Sequence, residues 1–441
     1  MSELQTICLL NDSFPPLIDG VANAVRNYAG VITEMGGSAV VATPDYPEAD
    51  DSAFPFPVLR YPSVDTRQLF GYRAGVPFSP KLYSRLEEEH VSILHSHCPI
   101  ASTILARQIR EGLDVPLVFT YHTKFDIDIA NALHSRLLQE GAIHALVTNV
   151  AACDEVWVVS RGAGENLRSL GYEGQMTVMP NGVDVPRGRV APEAVAAAVQ
   201  GMDLPADVPV YLFVGRLMWY KGLRIILDAL AKIRSAGAPF RMVFIGGGGD
   251  EEEVREYVRK LDLADRVFFT GPIRDREVIR AWYCRADLFL FPSTFDTNGL
   301  VVREAAACSL PSVLIAGSCA AEDVTDGVNA FLIEENAESM AAMLLSLQSA
   351  QERVREAGAR AASDLYLSWS DAVARAYERY GEIVDNYRAG RYERRANLSD
   401  MVFAMQGALM EKLSRMDDLG SSMNDYLARP LDRIGDLLLR Q

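Results

Sequence analysis

The stretch from Ser293 to Ala307 reads STFDTNGLVVREAAA. It sets Asp296 and Glu304 on either side of a short polar, glycine-containing segment and an apolar run. The preceding DLFLFPS predicts a strand ending at Ser293, so Asp296 falls on the loop at its carboxyl end. Asn298, Gly299 and Leu300 then open a helix, where backbone N–H groups lack intrahelical partners and can face an anion. Glu304 follows one to two turns in. A carboxylate there can bond both hydroxyls of a ribose. Asp296 can reach hydroxyls of a second sugar at the far end of a diphosphate. The plain alternative is a helix whose acidic residues suit its dipole.

A second candidate lies in VYLFVGRLMWYKGLRIILDAL, where Gly215 and Arg216 end a strand and Lys221 stands before a helix. An Arg and a Lys on one such loop make an anion site, Arg as a bidentate fork and Lys as a point charge. Surface cations on a loop are the alternative. The run Gly246 to Gly249 in FIGGGGDEEEV marks a strand-to-helix turn with close backbone approach. It is a weak dinucleotide signal, and a tight turn capped by Asp250 explains it equally.

In the first half, Gly20 in PPLIDGVANAV stands between a strand and a helix. His95 and His97 in HSHCP point to one side of a strand, but no third ligand of suitable spacing follows, so no metal is expected. His122 ends the strand PLVFTYH, where it would face a cleft. The Asp126–Asp128 pair resembles a short metal motif but opens a helix, and is set aside.

The elements that position these residues alternate. QTICLLND, SAVVATP, VSILHSH, PLVFTYH and EVWVVS read as strands with helices between most of them, which implies a parallel sheet covered on both faces. The pattern stops near Asp184 in a segment rich in Pro, Ala and Gly, then restarts with VYLFVGR. The division that follows is 1–184, a Rossmann-like doubly wound domain; 185–207, a linker; 208–368, a second Rossmann-like doubly wound domain; 369–388, one long helix; and 389–441, a helical tail. Ligands of such sheets bind outside the carboxyl ends of the strands.

The chain has 441 residues, 49% of them hydrophobic, and a net charge of −16. That charge argues against nucleic acid as a partner and against adsorption of the whole protein to an anionic membrane. Six cysteines without a Cys-x-x-Cys pair suit reduced thiols in the cytosol. The amino-terminal MSELQTICLLND has no basic region before its short apolar run and reads as a first strand rather than a signal peptide. No eighteen apolar residues follow one another.

Taken together, these stretches resemble the retaining glycosyltransferases of family 4, with the two-domain α/β GT-B fold, over about residues 5 to 388. The most specific part is the Glu-x7-Glu motif, which reads Asp296-x7-Glu304 here, with a side chain one methylene shorter at the first position. Gly215-Arg216, Lys221, Gly246 to Gly249, Asn181 to Asp184 and Gly20 also fit the pattern. The resemblance implies a nucleoside-diphosphate sugar as donor, UDP-glucose by family habit, with no metal or other cofactor required. Arg216 and Lys221 would hold the diphosphate and Glu304 the ribose. Asp296 and the backbone from Asn298 to Leu300 would hold the sugar and β-phosphate, and His122 would line the sugar site. The helix from Trp369 would be the one that returns to the first domain.

The acceptor is read from Arg67 to Leu86, RQLFGYRAGVPFSPKLYSRL. Arg67, Arg73, Lys81 and Arg85 lie among Phe70, Tyr72, Phe78 and Tyr83, a mixture suited to a lipid headgroup interface. It is similar to the region of family members that glycosylate diacylglycerol. That favours a lipid acceptor and a cytoplasmic protein peripheral to the inner membrane face. A soluble sugar or glycan acceptor is the alternative, and a non-catalytic sugar-nucleotide-binding protein a third reading. The tail carries apolar positions that include Leu398, Val402, Met405, Leu409 and Leu413. These suit self-association, docking on the body or membrane contact, and self-association as a homo-oligomer is the expectation.

Overall fold

The structure is a computed structural model and describes residues 5–67, 71–133, 135–392 and 398–417. Two compact units divide the chain: Met1–Pro180 with Trp369–Gln441, and Asn181–Ser368.

The first unit is built on seven parallel strands. In spatial order they are Val58–Tyr61, Ser38–Pro44, Thr6–Leu10, Val91–Ser96, Leu117–Tyr121, Glu155–Val158 and Thr177–Val178. Thr6–Leu10 is buried along its whole length because helices cover both faces, which is why it reads as an unbroken apolar run. Side chains alternate across the sheet. Ile7 and Leu9 meet Trp369, Val373, Ala376, Tyr380 and Ile383 on one face. Cys8 and Leu10 meet Leu82, Leu86, Leu105 and Met410 on the other. The spacing of the first group makes one stripe of the helix Trp369–Arg388, and this is what returns that helix to the first unit.

The helix Leu398–Asp417 packs on the helices Pro80–Glu88 and Ala101–Leu113 of the same chain. Buried Arg107 pairs with Asp400 at 2.5 Å and lies 4.3 Å from the Phe403 ring centroid. A Cβ on Gly407 would come within 2.2 Å of the Gln108 carbonyl oxygen, so the two backbones touch there. The inward side is therefore Asp400, Phe403, Gly407 and Met410. Val402, Met405 and Leu409, expected on the packing stripe, are exposed. Of the three expected roles of the tail, docking on the body describes this helix. Residues 418–441 lie outside the described residues.

The second unit has six parallel strands in the order Val267–Gly271, Arg241–Ile245, Val210–Val214, Leu288–Phe291, Ser312–Ile315 and Phe331–Ile333. In both sheets the first strand lies beside the fourth or its equivalent, so the chain changes winding direction there and a crevice opens at the carboxyl ends. Residues 185–207, expected as a linker, are part of this unit. Val185 is in its core, and Val190, Val195, Val199, Met202 and Leu204 pack against it.

Three histidines cluster at the carboxyl side of the first sheet. His95 Nδ1 bonds the Tyr380 hydroxyl at 2.5 Å and Nε2 bonds Thr120 Oγ1 at 2.7 Å. His97 Nδ1 and His122 Nε2 are 2.8 Å apart. Burial pushes all three imidazoles below their ordinary range, His122 to about 3. An unfolded chain takes up these protons near pH 6.5, whereas the folded chain stays neutral. Stability is thus complete above about pH 7 and falls on acidification, by about 1.4 kcal/mol per pH unit for each group. Urea denaturation is expected to show this loss between about pH 7 and pH 5, before most carboxylates titrate. A flat profile over that range would contradict the buried neutral cluster.

Candidate active site

The strand order of the second unit brings together the loops after Val214 and after Phe291. Gly222 makes this junction. Its φ of 78° is in the left-handed region, and a Cβ there would lie 2.0 Å from the Pro292 carbonyl oxygen. The two loops meet backbone to backbone. Just before Gly222, a 3-10 turn over Trp219–Lys221 lifts Lys221 into the crevice. Its Nζ meets Asp296 Oδ1 at 2.5 Å, and Asp296 Oδ2 accepts from the Ser293 hydroxyl at 2.5 Å. The Lys221 side chain is 10% exposed. The rings of Tyr220, Phe291 and Phe295 surround its ammonium at 5.8–5.9 Å. Lys221 and Asp296, read from the sequence as separate phosphate and sugar contacts, are thus ion-paired partners.

Arg216 differs from Lys221. It is exposed, and its guanidinium makes no hydrogen bond or ion pair with any described residue. A cation held open at a crevice rim can close on an anion without first breaking another contact.

The glycine run packs this loop in place. Cβ atoms on Gly246 and Gly248 would lie 2.0 Å from the Gly215 oxygen and 2.4 Å from the Leu217 oxygen. Asp250, expected to cap its own helix, makes no such bond. Its Oδ2 instead accepts from Trp219 N at 2.8 Å, in the Lys221 turn. Gly215 follows the strand directly.

On the other loop, Gly299 is the N-cap of the helix Leu300–Ala307 at φ 58° and supplies no side-chain cap. The free N–H groups at this end are the ones expected to face an anion. Buried Asn298 Nδ2 has no hydrogen-bond partner among the described residues. An unpaired buried amide is costly, and a ligand oxygen would relieve it.

Glu304 lies on the same helix with 13% of its side chain exposed. Tyr283 donates its hydroxyl to Oε2 at 2.9 Å, and Arg276 reaches Oε1 at 3.4 Å and Asp184 at 3.3 Å. Burial raises the Glu304 carboxyl above the usual range, while Tyr283 and Arg276 pull it down. Sequence reasoning missed Tyr283 and Arg276. They stand two turns apart on one face of the helix Arg276–Arg285. That spacing was visible, but nothing local ties it to Glu304.

In the first unit, Gly20 begins the helix Gly20–Glu34 after Asp19, whose Oδ1 accepts from Val21 N and Ala22 N at 2.8 and 2.7 Å. A Cβ on Gly20 would meet nothing within 4 Å. His122 is buried beside His97. Among the described residues no group of three His, Cys, Asp or Glu could hold a metal.

The family description "Glycosyltransferase Family 4" matches residues 18–187, and "Glycosyl transferases group 1" matches residues 198–364. The chain is 30% identical over 332 residues to D-inositol 3-phosphate glycosyltransferase of Xylanimonas cellulosilytica, across 71% of this chain and 77% of that one. It belongs to the family-4 glycosyltransferases. This glycosyltransferase is also 24% identical over 345 residues to alpha-monoglucosyldiacylglycerol synthase of Acholeplasma laidlawii, across 75% and 85% of the two chains. Its fold is GT-B. The crystal structure of Anabaena Alr3699/HepE in complex with UDP-glucose superposes with a TM-score of 0.67 at 19% identity, over 86% of this chain and 99% of that one.

The junction of the two loops gives a contrast. Gly222→Ala is expected to destabilise the protein by more than about 2 kcal/mol, because the methyl group meets backbone. Gly20→Ala, in open space on a helix, is expected to be neutral or slightly stabilising. Equal thermal midpoints for the two variants would show that the loops are not held together at Gly222.

Proposed function

We propose that this glycosyltransferase moves a hexosyl group, glucose from UDP-glucose, to a hydroxyl acceptor with retention of configuration. The observation that carries the donor half is Lys221 buried against Asp296 at the loop junction, with open-ended N–H groups beside it. Lys221 and Arg216 hold the diphosphate, with the backbone of Gly215. The backbone of Asn298, Gly299 and Leu300 meets the β-phosphate, Asp296 the sugar hydroxyls, and Glu304 the ribose. For His122 in the first unit, whose ring His97 holds, we propose a hydrogen bond to a sugar hydroxyl.

The chemistry follows from charge. The C1–oxygen bond to the diphosphate breaks, and Lys221 and Arg216 stabilise the negative charge that develops. The acceptor hydroxyl attacks on the face the diphosphate leaves, and a diphosphate oxygen takes its proton. No carboxylate nucleophile is needed, which agrees with Asp296 being tied to Lys221 and Ser293. Two protein cations already do the work a divalent ion would do.

For the acceptor we propose a diacylglycerol-type lipid, supported by likeness to a synthase named for that product. The loop first read as basic and aromatic gives this less support than its composition suggested. Arg67 pairs with Asp65 and Glu48, Arg73 with Asp65, and Arg85 with Glu88 and Glu89. Tyr83 is core, Phe78 packs against it, and Phe70 lies outside the described residues. Lys81 and Tyr72 stay exposed, but the pairing of the three arginines is the observation that keeps a soluble acceptor as the second reading, with the inositol-phosphate relative beside it. Among the described residues no helix is long and apolar enough to cross a membrane.

UDP release from UDP-glucose is expected to rise with diacylglycerol vesicles and to yield an α-linked glucolipid. Glu304→Ala is expected to weaken UDP binding by about tenfold to a hundredfold, the worth of a hydrogen bond to a charged group. Turnover with inositol phosphate and none with vesicles would select the soluble acceptor. Tight UDP binding by Glu304→Ala would remove the ribose assignment.

A further inference from the structure

The turn that carries Lys221 is held from outside itself. It spans only Trp219–Lys221, and Met218 at its start supplies no side-chain cap. Lys221 N donates to the Met218 oxygen at 2.9 Å and Gly222 N to the Trp219 oxygen at 3.1 Å. The first N–H groups of a helical turn have no partner inside it. Here the N–H of Trp219 goes to Asp250 Oδ2 at 2.8 Å, on the loop after the neighbouring strand Arg241–Ile245. Asp250 N in turn donates to the Leu217 oxygen at 3.3 Å, which fixes the direction of its carboxylate.

The helix Glu251–Lys260 adds two more fastenings. Asp250, Glu253 and Tyr257 are spaced three and four residues apart, so they stand in one row. Glu253 Oε2 accepts from the Trp219 indole N–H at 2.9 Å. The Trp219 and Tyr257 rings meet edge to face at 5.7 Å between centroids. The Arg224 guanidinium lies 4.6 Å from the Trp219 ring centroid and 4.8 Å from that of Tyr257. Tyr257 donates its hydroxyl to Asp228 at 2.6 Å, one turn beyond Arg224 on the helix Leu223–Ser235. Trp219 is thus held by its backbone, its indole N–H and its ring. Lys221 comes two residues later, and Gly222 locks the chain against Pro292 directly after it. The ammonium stands between two clamps.

We propose that Asp250 is a positioning residue for the donor: acting through Trp219, it holds Lys221 where the diphosphate binds. This rests on the diphosphate role proposed above for Lys221. Asp250 precedes a helix that it leaves without a side-chain cap, although Glu251, Glu252 and Glu253 already suit that helix's dipole. Its carboxylate serves the neighbouring loop instead. Losing it therefore loosens the Lys221 turn more than it harms the helix.

The test is calorimetric titration of the full chain with UDP and with uridine, which lacks the diphosphate. Asp250→Ala is expected to lose about tenfold in UDP affinity, the worth of a hydrogen bond to a charged group, and nothing in uridine affinity. Asp250→Asn keeps an acceptor oxygen and is expected to stay within about threefold of wild type. In a Lys221→Ala background, Asp250→Ala is expected to add no further loss, because the two act as one unit. Should Asp250→Ala fail to fold, Trp219→Phe removes only the indole bond to Glu253 and is expected to show the same selective loss at about threefold.

Unchanged UDP affinity would overturn the positioning role. Equal losses for UDP and uridine would overturn it too, since they mark a general collapse of the loop. A full second loss in the Lys221→Ala background would overturn the route through Lys221. Wild-type protein that binds UDP no better than uridine would overturn the donor reading and the positioning role together, whereas tight UDP binding by wild type and Asp250→Ala alike would overturn the positioning role alone.

Discussion

The carbonyl of Pro292 lies where a side chain on residue 222 would have to be. Because Gly222 leaves that space empty, two loops from adjacent central strands touch along their backbones. The features of the donor half follow from that contact. It places Lys221 beside Asp296, and it lets the aromatic rings of both loops close around one ammonium. The glycines at 246 and 248 extend the same device to a third strand, pressing its loop on Gly215 and Leu217. The Lys221–Asp296 pair also has a cost for ligand binding. On the proposed assignment a diphosphate shares or displaces Asp296, and the ion pair keeps both groups in place until a ligand with anion and hydroxyls together replaces it. Arg216, exposed at the rim, needs no such exchange.

The first unit is organised around an unrelated constraint, the covering of a doubly buried sheet by chain from far away in sequence. The stripe from Trp369 to Val384 seals one face, and Met410 helps seal the other. Tyr380 carries a polar tip into that core, and His95 accommodates it. The three histidines are consequently structural before they are functional. His97 holds the ring of His122, and both must stay neutral to remain buried.

The parts of the site legible in the sequence were those carried by contiguous residues. Asp296 to Glu304 and Gly215 to Lys221 each fall on one stretch from the end of a strand to the first turns of the helix after it, and strand alternation put both at carboxyl ends. The Lys221–Asp296 pair was not legible, because it depends on the first and fourth strands being neighbours. Tyr283 and Arg276 were hidden for the same reason: their helix meets Glu304 only through the sheet order. The four glycines announced a close approach without saying to what, and the answer was backbone of the neighbouring loop. In the tail, periodicity picked the more apolar face, Val402 to Leu409. Packing chose the face where Gly407 allows backbone contact and Arg107 finds Asp400. Composition misled most at residues 67–86, because the three arginines that look free in the sequence are paired with Asp65, Glu48, Glu88 and Glu89 once folded, while Lys81 stays exposed.

The central claim is that the loop junction around Lys221 is a diphosphate site. The most direct measurement compares calorimetric titrations of the wild-type protein with UDP and with uridine. If Lys221, Arg216 and the N–H groups of residues 298–300 hold the diphosphate, UDP should bind at least about a hundredfold more tightly, the worth of two charge-assisted hydrogen bonds. Equal affinity for the two ligands would contradict the account, because the cations and the helix start would then contribute nothing to the donor.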